Sequence, residues 1–338
     1  MILIDAVFIH SGGGKSLLDY LIEELNKTDQ SYYYLFDSRL KNNLPFAIRG
    51  KYEFADGFRQ RCCFYNNHKD KFSKVFCLGN IPPHIRLKKT NVLMYFHSVT
   101  YLTPPEEGDR KLMNFIKKKV FFSLISNVDQ WLVQTESVKK ILTAKINTRK
   151  EVKIVPFFKL LTPDILAPDV KSLKEPDTFL YLGTAEPHKN HKRLIDAFCL
   201  FYDRYKKGVL IITVGDQYPQ IYKYVENKIK NNYPIRNLGY IKDRRKVALE
   251  YMRSKFVIFP SLKESFGLPL IESLQFDCKI LAADLDYVQQ VCRPSYQFDP
   301  RSTEQIFNAF EKSFDENLPE SKLMINDKMK EMISIIVS

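Results

Sequence analysis

Apolar residues in this chain fall in short, nearly continuous runs, and most runs lead through a polar or glycine-bearing turn into a stretch of helical spacing. Met1–Phe8 reads as a buried strand and Leu17–Asn26 as an amphipathic helix. Strands follow at Tyr32–Asp37, Lys74–Cys77, Asn91–Phe96, Gln130–Gln134 and Val152–Pro156, with helices over Asp109–Val128 and Ser137–Thr143. Thr162–Asp177, with three prolines and no period, reads as a linker. The second half alternates cleanly. Strands at Thr178–Gly183, Val209–Gly215, Arg236–Tyr240, Lys255–Pro260 and Lys279–Ala283 are interleaved with helices at His191–Tyr205, Gln220–Asn231, Arg244–Ser254, Tyr287–Val291 and Thr303–Phe314. Continuous apolar strands separated by such helices predict parallel sheets covered on both faces, an α/β fold. The expected division is a Rossmann-like domain over 1–160, a second over 161–320, and a final helix within 321–338 that crosses back to the first domain.

Composition narrows the class. With 338 residues, 45% hydrophobic and 27% charged, the chain can support two ordinary cores. Met1-Ile-Leu-Ile-Asp5 lacks the basic lead of a signal peptide, and no apolar run reaches the length of a membrane span. The six cysteines show no C-x-x-C spacing, which points to reduced thiols and a cytoplasmic protein rather than a zinc site. The net charge of +13 is uneven: residues 1–160 carry 26 basic and 15 acidic side chains, the remainder 26 and 24. The first half therefore expects an anionic partner. Lys117–Lys119 beside Val120-Phe-Phe-Ser-Leu-Ile125 is readable either as a surface for an anionic membrane or as a core-facing helix with a solvated side.

Three stretches carry candidate chemistry. In Phe259-Pro-Ser-Leu-Lys-Glu-Ser-Phe-Gly-Leu-Pro-Leu-Ile-Glu272 a strand runs through a loop into a helix whose first turn contains Pro269. Glu264 falls in the loop and Glu272 about one turn into the helix; two carboxylates around a glycine and a helix start suit an anionic polyol such as a nucleotide sugar. In Leu182-Gly-Thr-Ala-Glu-Pro-His-Lys-Asn-His-Lys-Arg193 a strand ends near Gly183, and Lys189 stands before a helix, placed to neutralise a departing diphosphate. His10-Ser-Gly-Gly-Gly-Lys-Ser16 is not a Walker A loop, because Ile9 occupies the place of its first glycine; it suits either close backbone approach to a ligand or a simple tight turn. His97, at the end of the Asn91–Phe96 strand, is expected at a ligand crevice.

Between Phe179 and Pro300, "YLGTAEPHKN", "VGD", "LGYIKD", "FPSLKESFGLPLIES" and "DP" resemble, in order, the retaining glycosyltransferases of family four. The first half resembles them more loosely through "SGGGKS", "FHSVTYLTP" and "VQTESVKKIL". The resemblance implies a GT-B fold of two Rossmann-like domains facing an interdomain cleft, and transfer of a sugar from a GDP-mannose-like or UDP-sugar donor to a glycan or polyprenyl-pyrophosphate-linked acceptor in bacterial surface polysaccharide synthesis. It assigns His97, Glu264 and Lys189 to catalysis. Donor binding falls to Gly13, Gly14, Gly183, Thr184, His188, Asn190, Arg193, Phe266, Gly267, Leu268 and Glu272. It implies no metal or cofactor, and a cytoplasmic enzyme peripheral to the inner membrane face. The chain departs from the family at Thr184 and His188, where an arginine is usual, at Ser265, usually glycine, and at Gln290, commonly glutamate. The rival readings are a sugar-nucleotide epimerase of the same fold, an inactive scaffold, and a basic nucleic-acid-binding protein. Against the last, the basic residues form no recognised nucleic-acid motif.

Overall fold

The computed structural model describes residues 1–44, 48–99, 102–104, 111–146, 150–161 and 174–338. Most of the expected linker, the residues between His97 and Pro105 at 100–101 and 105, and the first residues of the helix expected from Asp109 lie outside the described set. The described residues form two compact units, the first built from those up to Lys159 together with Asn326–Ser338, the second from those within Leu160–Ile325.

The first unit runs β1 (Ile2–Ala6), α1 (Gly12–Leu25), β2 (Tyr32–Asp37), β3 (Lys51–Ala55), α2 (Gly57–His68), β4 (Lys74–Cys77), β5 (Asn91–Phe96), α3 (Lys111–Leu124), β6 (Gln130–Val133), α4 (Glu136–Ile146) and β7 (Val152–Ile154). Its strands pair in parallel in the order β3-β2-β1-β4-β5-β6-β7. One buried cluster lies on each face of this sheet: one gathers Leu3, Val75, Met94, Phe121 and Trp131, the other Ile4, Leu18, Tyr34, Phe76 and Leu132. Strands buried on both faces explain the unbroken apolar runs.

The second unit runs β8 (Glu175–Tyr181), α5 (His191–Tyr205), β9 (Val209–Ile212), α6 (Pro219–Lys230), β10 (Ile235–Asn237), α7 (Arg244–Arg253), β11 (Ser254–Phe259), α8 (Leu268–Leu274), β12 (Lys279–Ala283), α9 (Asp286–Val291), β13 (Cys292–Arg293), β14 (Tyr296–Phe298), α10 (Thr303–Glu311) and β15 (Lys322–Leu323). The main sheet is parallel, in the order β10-β9-β8-β11-β12-β14, and β13 pairs antiparallel with β15.

Local differences from the sequence reading have physical causes. The glycine stretch is not a loop: α1 starts at Gly12, because Leu17, Leu18 and Leu21 bury one face and carry the helix back through a poor helix-forming run. The edge strand β3 is missing from the sequence reading since Lys51, Tyr52 and Glu53 are exposed and show no apolar run. Helix α2 is missing because its buried face contains Arg61 beside Phe64 and Tyr65. The final helix is shorter than expected: Lys322–Leu323 form β15, and helix α11 spans Met329–Val337. Met329, Met332 and Ile336 of α11 join the core around α1, and Asp327 accepts from the Phe158 amide (3.0 Å) and the Tyr20 hydroxyl (3.0 Å), so the helix is part of the first unit. Among the described residues no helix is long and apolar enough to cross a membrane.

Candidate functional site

In each sheet the chain first adds strands on one side of its opening strand and then returns to the other. That reversal falls between β1 and β4 in the first unit and between β8 and β11 in the second. Ligands of open α/β sheets bind outside the carboxyl ends of the strands at such a reversal. The candidate residues of both units lie there.

In the first unit, β4 leads into Leu78-Gly79-Asn80 and β5 into His97. Gly79 lies so near the β1 end that a Cβ would stand 2.1 Å from the Val7 carbonyl oxygen, which only glycine permits. This packing sets the loop that holds His97. The Asn80 Oδ1 accepts from the His97 amide at 2.7 Å, and His97 Nε2 lies 2.7 Å from the Leu78 carbonyl oxygen. Nε2 also lies 3.1 Å from Asn80 Nδ2; the shorter contact is to a carbonyl, which can only accept, so the ring proton is assigned to Nε2 and the acceptor role to Nδ1. Burial lowers the His97 pKa to about 4, so the ring is neutral at pH 7. Gly14 sits against it: a Cβ there would meet His97 Cε1 at 3.6 Å. Gly13 and Gly14 are in the first turn of α1, where amide N–H groups have no intrahelical acceptor. The Lys15 ammonium pairs with Asp19 at 2.5 Å, one turn along the same helix.

In the second unit the turn after β8 and the loop after β11 are stitched together. The Leu262 amide donates to the His188 carbonyl (2.7 Å), and the Tyr181 hydroxyl donates to the Lys189 carbonyl (2.8 Å) and lies 2.9 Å from Ser261 Oγ. Buried Asn190, in the left-handed conformation, donates to the carbonyls of Pro260 (3.1 Å) and Pro300 (2.7 Å). Across this seam Lys189 Nζ meets Glu264 Oε1 at 2.6 Å. The sequence separates these two residues by 75 positions; the adjacency of β8 and β11 joins them. Arg193 is turned toward the seam, Nη1 donating to Asn190 Oδ1 at 2.5 Å. Gly183 exchanges hydrogen bonds with the Thr213 hydroxyl through both its N–H (3.0 Å) and its carbonyl (3.1 Å), and half-buried Thr184 follows it.

Phe266 is buried and Gly267 has φ +82°, an angle that calls for glycine; a Cβ there would also crowd the Leu270 side chain at 3.2 Å. Leu268 and Pro269 then start α8. Glu272, one turn in, is held by the Tyr251 hydroxyl on Oε2 (3.1 Å) and by Arg244 Nη2 on Oε1 (2.5 Å). The sequence alone singles out neither of these partners, nor Asn80. The one signal for Arg244 is that a cation opens a helix, where the macrodipole disfavours it.

His188 and His191 flank Lys189. Burial, then the Lys189 charge, lowers the pKa of both, His191 to about 3. His191 packs on Tyr181 with neither ring nitrogen hydrogen-bonded. Between pH 6.5 and 4 the unfolded chain binds protons that folded His97 and His191 refuse, so stability is lost as pH falls through that window. His191→Phe is expected to flatten the fall of the urea midpoint between pH 7 and 4.5; an unchanged slope would count against His191 as a source. Among the described residues no three His, Cys, Asp or Glu side chains gather as a metal site.

Residues 165–331 match the family model of glycosyl transferases group 1. The chain is 23% identical over 265 residues to the serotype-specific mannosyltransferase WbdA of Escherichia coli, covering 74% of this chain and 31% of that protein. It is also 23% identical over 217 residues to the O-antigen chain mannosyltransferase B of Escherichia coli, covering 58% and 54%. It thus spans about a third to a half of the length of these relatives. Among solved structures, sucrose-phosphate synthase from Thermosynechococcus elongatus superposes with a TM-score of 0.73 at 15% identity over 93% of this chain and 90% of that one. Anabaena HepE in complex with UDP and glucose superposes with a TM-score of 0.69 at 12% identity over 94% and 90%. The fold is GT-B, and the match to the glycosyl transferases group 1 falls largely on the second unit.

Proposed function

We propose that the protein is a retaining, metal-independent glycosyltransferase. In this reading it moves a sugar from a GDP-mannose-like or UDP-sugar donor to a glycan or polyprenyl-pyrophosphate-linked acceptor of a bacterial surface polysaccharide. The observation that carries this reading is the Lys189–Glu264 pair at the β8/β11 reversal, within the segment that matches the family model. Lys189 neutralises the leaving diphosphate, Glu264 accepts from hydroxyls of the transferred sugar, and Glu272 accepts from the ribose. His97, neutral with Nδ1 as acceptor, orients a sugar hydroxyl, and the α1 start with Gly13 and Gly14 approaches the diphosphate. The mannosyltransferase names of the two relatives favour a GDP-mannose-like donor, whereas UDP in the HepE complex keeps a UDP-sugar in view. Exposed Phe115 and Ile116 beside exposed Lys117–Lys119 on α3 suit a cytoplasmic enzyme peripheral to an anionic membrane bearing the acceptor.

A thermal-shift panel of UDP, GDP, dTDP and CMP with their sugars tests the donor assignment. One nucleotide is expected to raise the melting temperature in proportion to the logarithm of its concentration above Kd. That donor, offered with a polyprenyl-linked acceptor in anionic vesicles and with EDTA present, should yield product of unchanged anomeric configuration by NMR. No shift with any nucleotide would overturn the reading; inversion or EDTA sensitivity would overturn its mechanism.

A further inference from the structure

Arg244 is out of place by local rules. It opens the ten-residue helix α7, where the positive end of the macrodipole repels a cation, and its neighbour Asp243 already caps the helix by accepting from the Arg245 amide at 2.9 Å. What compensates is Glu272. Its side chain is 8% exposed, whereas that of Arg244 is 47% exposed. The carboxylate therefore has an inner oxygen, Oε2, held by the fully buried Tyr251, and an outer oxygen, Oε1, covered by the guanidinium. Burial keeps the Tyr251 hydroxyl protonated, so it remains a donor. A ligand that comes to Glu272 from solvent arrives beside Arg244.

Two outcomes are conceivable for Arg244 when hydroxyls bind the carboxylate: release or retention. A carboxylate has about four acceptor directions, and Arg244 and Tyr251 occupy two. Two ribose hydroxyls can take the others without displacing a charge-assisted bond that is roughly twice as strong as a neutral one. Retention also answers an electrostatic problem. A nucleoside diphosphate brings negative charge toward a site that contains the Glu272 carboxylate, and the guanidinium offsets it.

Resting on the nucleotide-sugar reading above, we infer that Arg244 is a positioning and charge-balancing residue of the nucleotide site: it fixes Glu272 for the ribose hydroxyls and screens that carboxylate from the diphosphate. The test is a double-mutant cycle by calorimetric titration with UDP and GDP on the full chain. Arg244→Met is expected to weaken the preferred nucleoside diphosphate about tenfold, and Arg244→Lys, which keeps the charge but loses the planar fork, by less. In a Glu272→Gln background, Arg244→Met should change affinity by about twofold or less, because the charge to be screened is gone. An equal loss in both backgrounds, or no loss in the single variant, would overturn the inference. If Arg244→Met does not fold, Arg244→Gln serves the same cycle. Failure of the unmodified protein to bind UDP or GDP would instead sink the nucleotide-sugar reading, and the inference with it.

Discussion

Lys189→Ala is expected to lower sugar transfer by about 10²–10³-fold in kcat, with a smaller change in the donor KM. The ammonium lies 2.6 Å from Glu264, both side chains are largely shielded, and hydrogen bonds from the Leu262 amide and the Tyr181 hydroxyl fix the turn that carries it. In the proposed reaction charge grows on the diphosphate as the glycosyl bond breaks, so a cation held there would stabilise the transition state more than the bound donor. Removing it also leaves Glu264 as an uncompensated anion in the same place. Glu264→Gln is expected to lower kcat as well, and the double variant should lose less than the product of the two single losses, because the residues act as a pair. Lys189→Arg should recover part of the rate. Turnover equal to that of the unmodified protein in Lys189→Ala, at saturating donor, would exclude the role.

Arg61→Met is expected to lower the stability of the protein by about 3–5 kcal/mol, read as a shift of the urea midpoint. Arg61 and Asp5 are 2% and 1% exposed and pair at 2.7 Å. The guanidinium also donates to the carbonyls of Pro82 (3.0 Å) and Ile81 (2.8 Å), while Asp5 accepts from the Tyr65 hydroxyl (2.6 Å) and the Val7 amide (3.2 Å). Taking away the cation strands a buried carboxylate and two carbonyls at once. The pair fastens α2, β1 and the loop after β4, and that loop holds His97 through Leu78 and Asn80. The Asp5→Asn/Arg61→Met double variant should be less destabilised than Arg61→Met alone, since no buried charge is then unpaired. A midpoint unchanged in Arg61→Met would show that the network contributes nothing net.

Much of the second unit is legible in the residue pattern because its signals are local. Continuous apolar runs mark β8, β9, β11 and β12, Gly267 and Pro269 mark the entry to α8, and Lys189, Glu264 and Glu272 stand at the ends of those elements. Legibility fails where burial and local preference disagree. The three glycines of α1 argue against a helix that its leucines impose, and Arg61 hides the buried face of α2. Tyr251 and Arg244 sit on a helix of strongly polar composition, with nothing nearby in the chain to say that a glutamate 21 or 28 residues on completes them.

From residue order alone follow the alternation of strand and helix, the doubly covered parallel sheets, and the chemical types available at each strand end, because hydrophobic period and turn chemistry act over a few residues. Which strand lies beside which is not encoded at that range. The placement of β8 against β11, and of β1 against β4, comes from packing of whole elements. It is this order that brings Lys189 to Glu264 and the Leu78–Asn80 loop to His97, turning separate strand ends into sites with defined charge and proton positions.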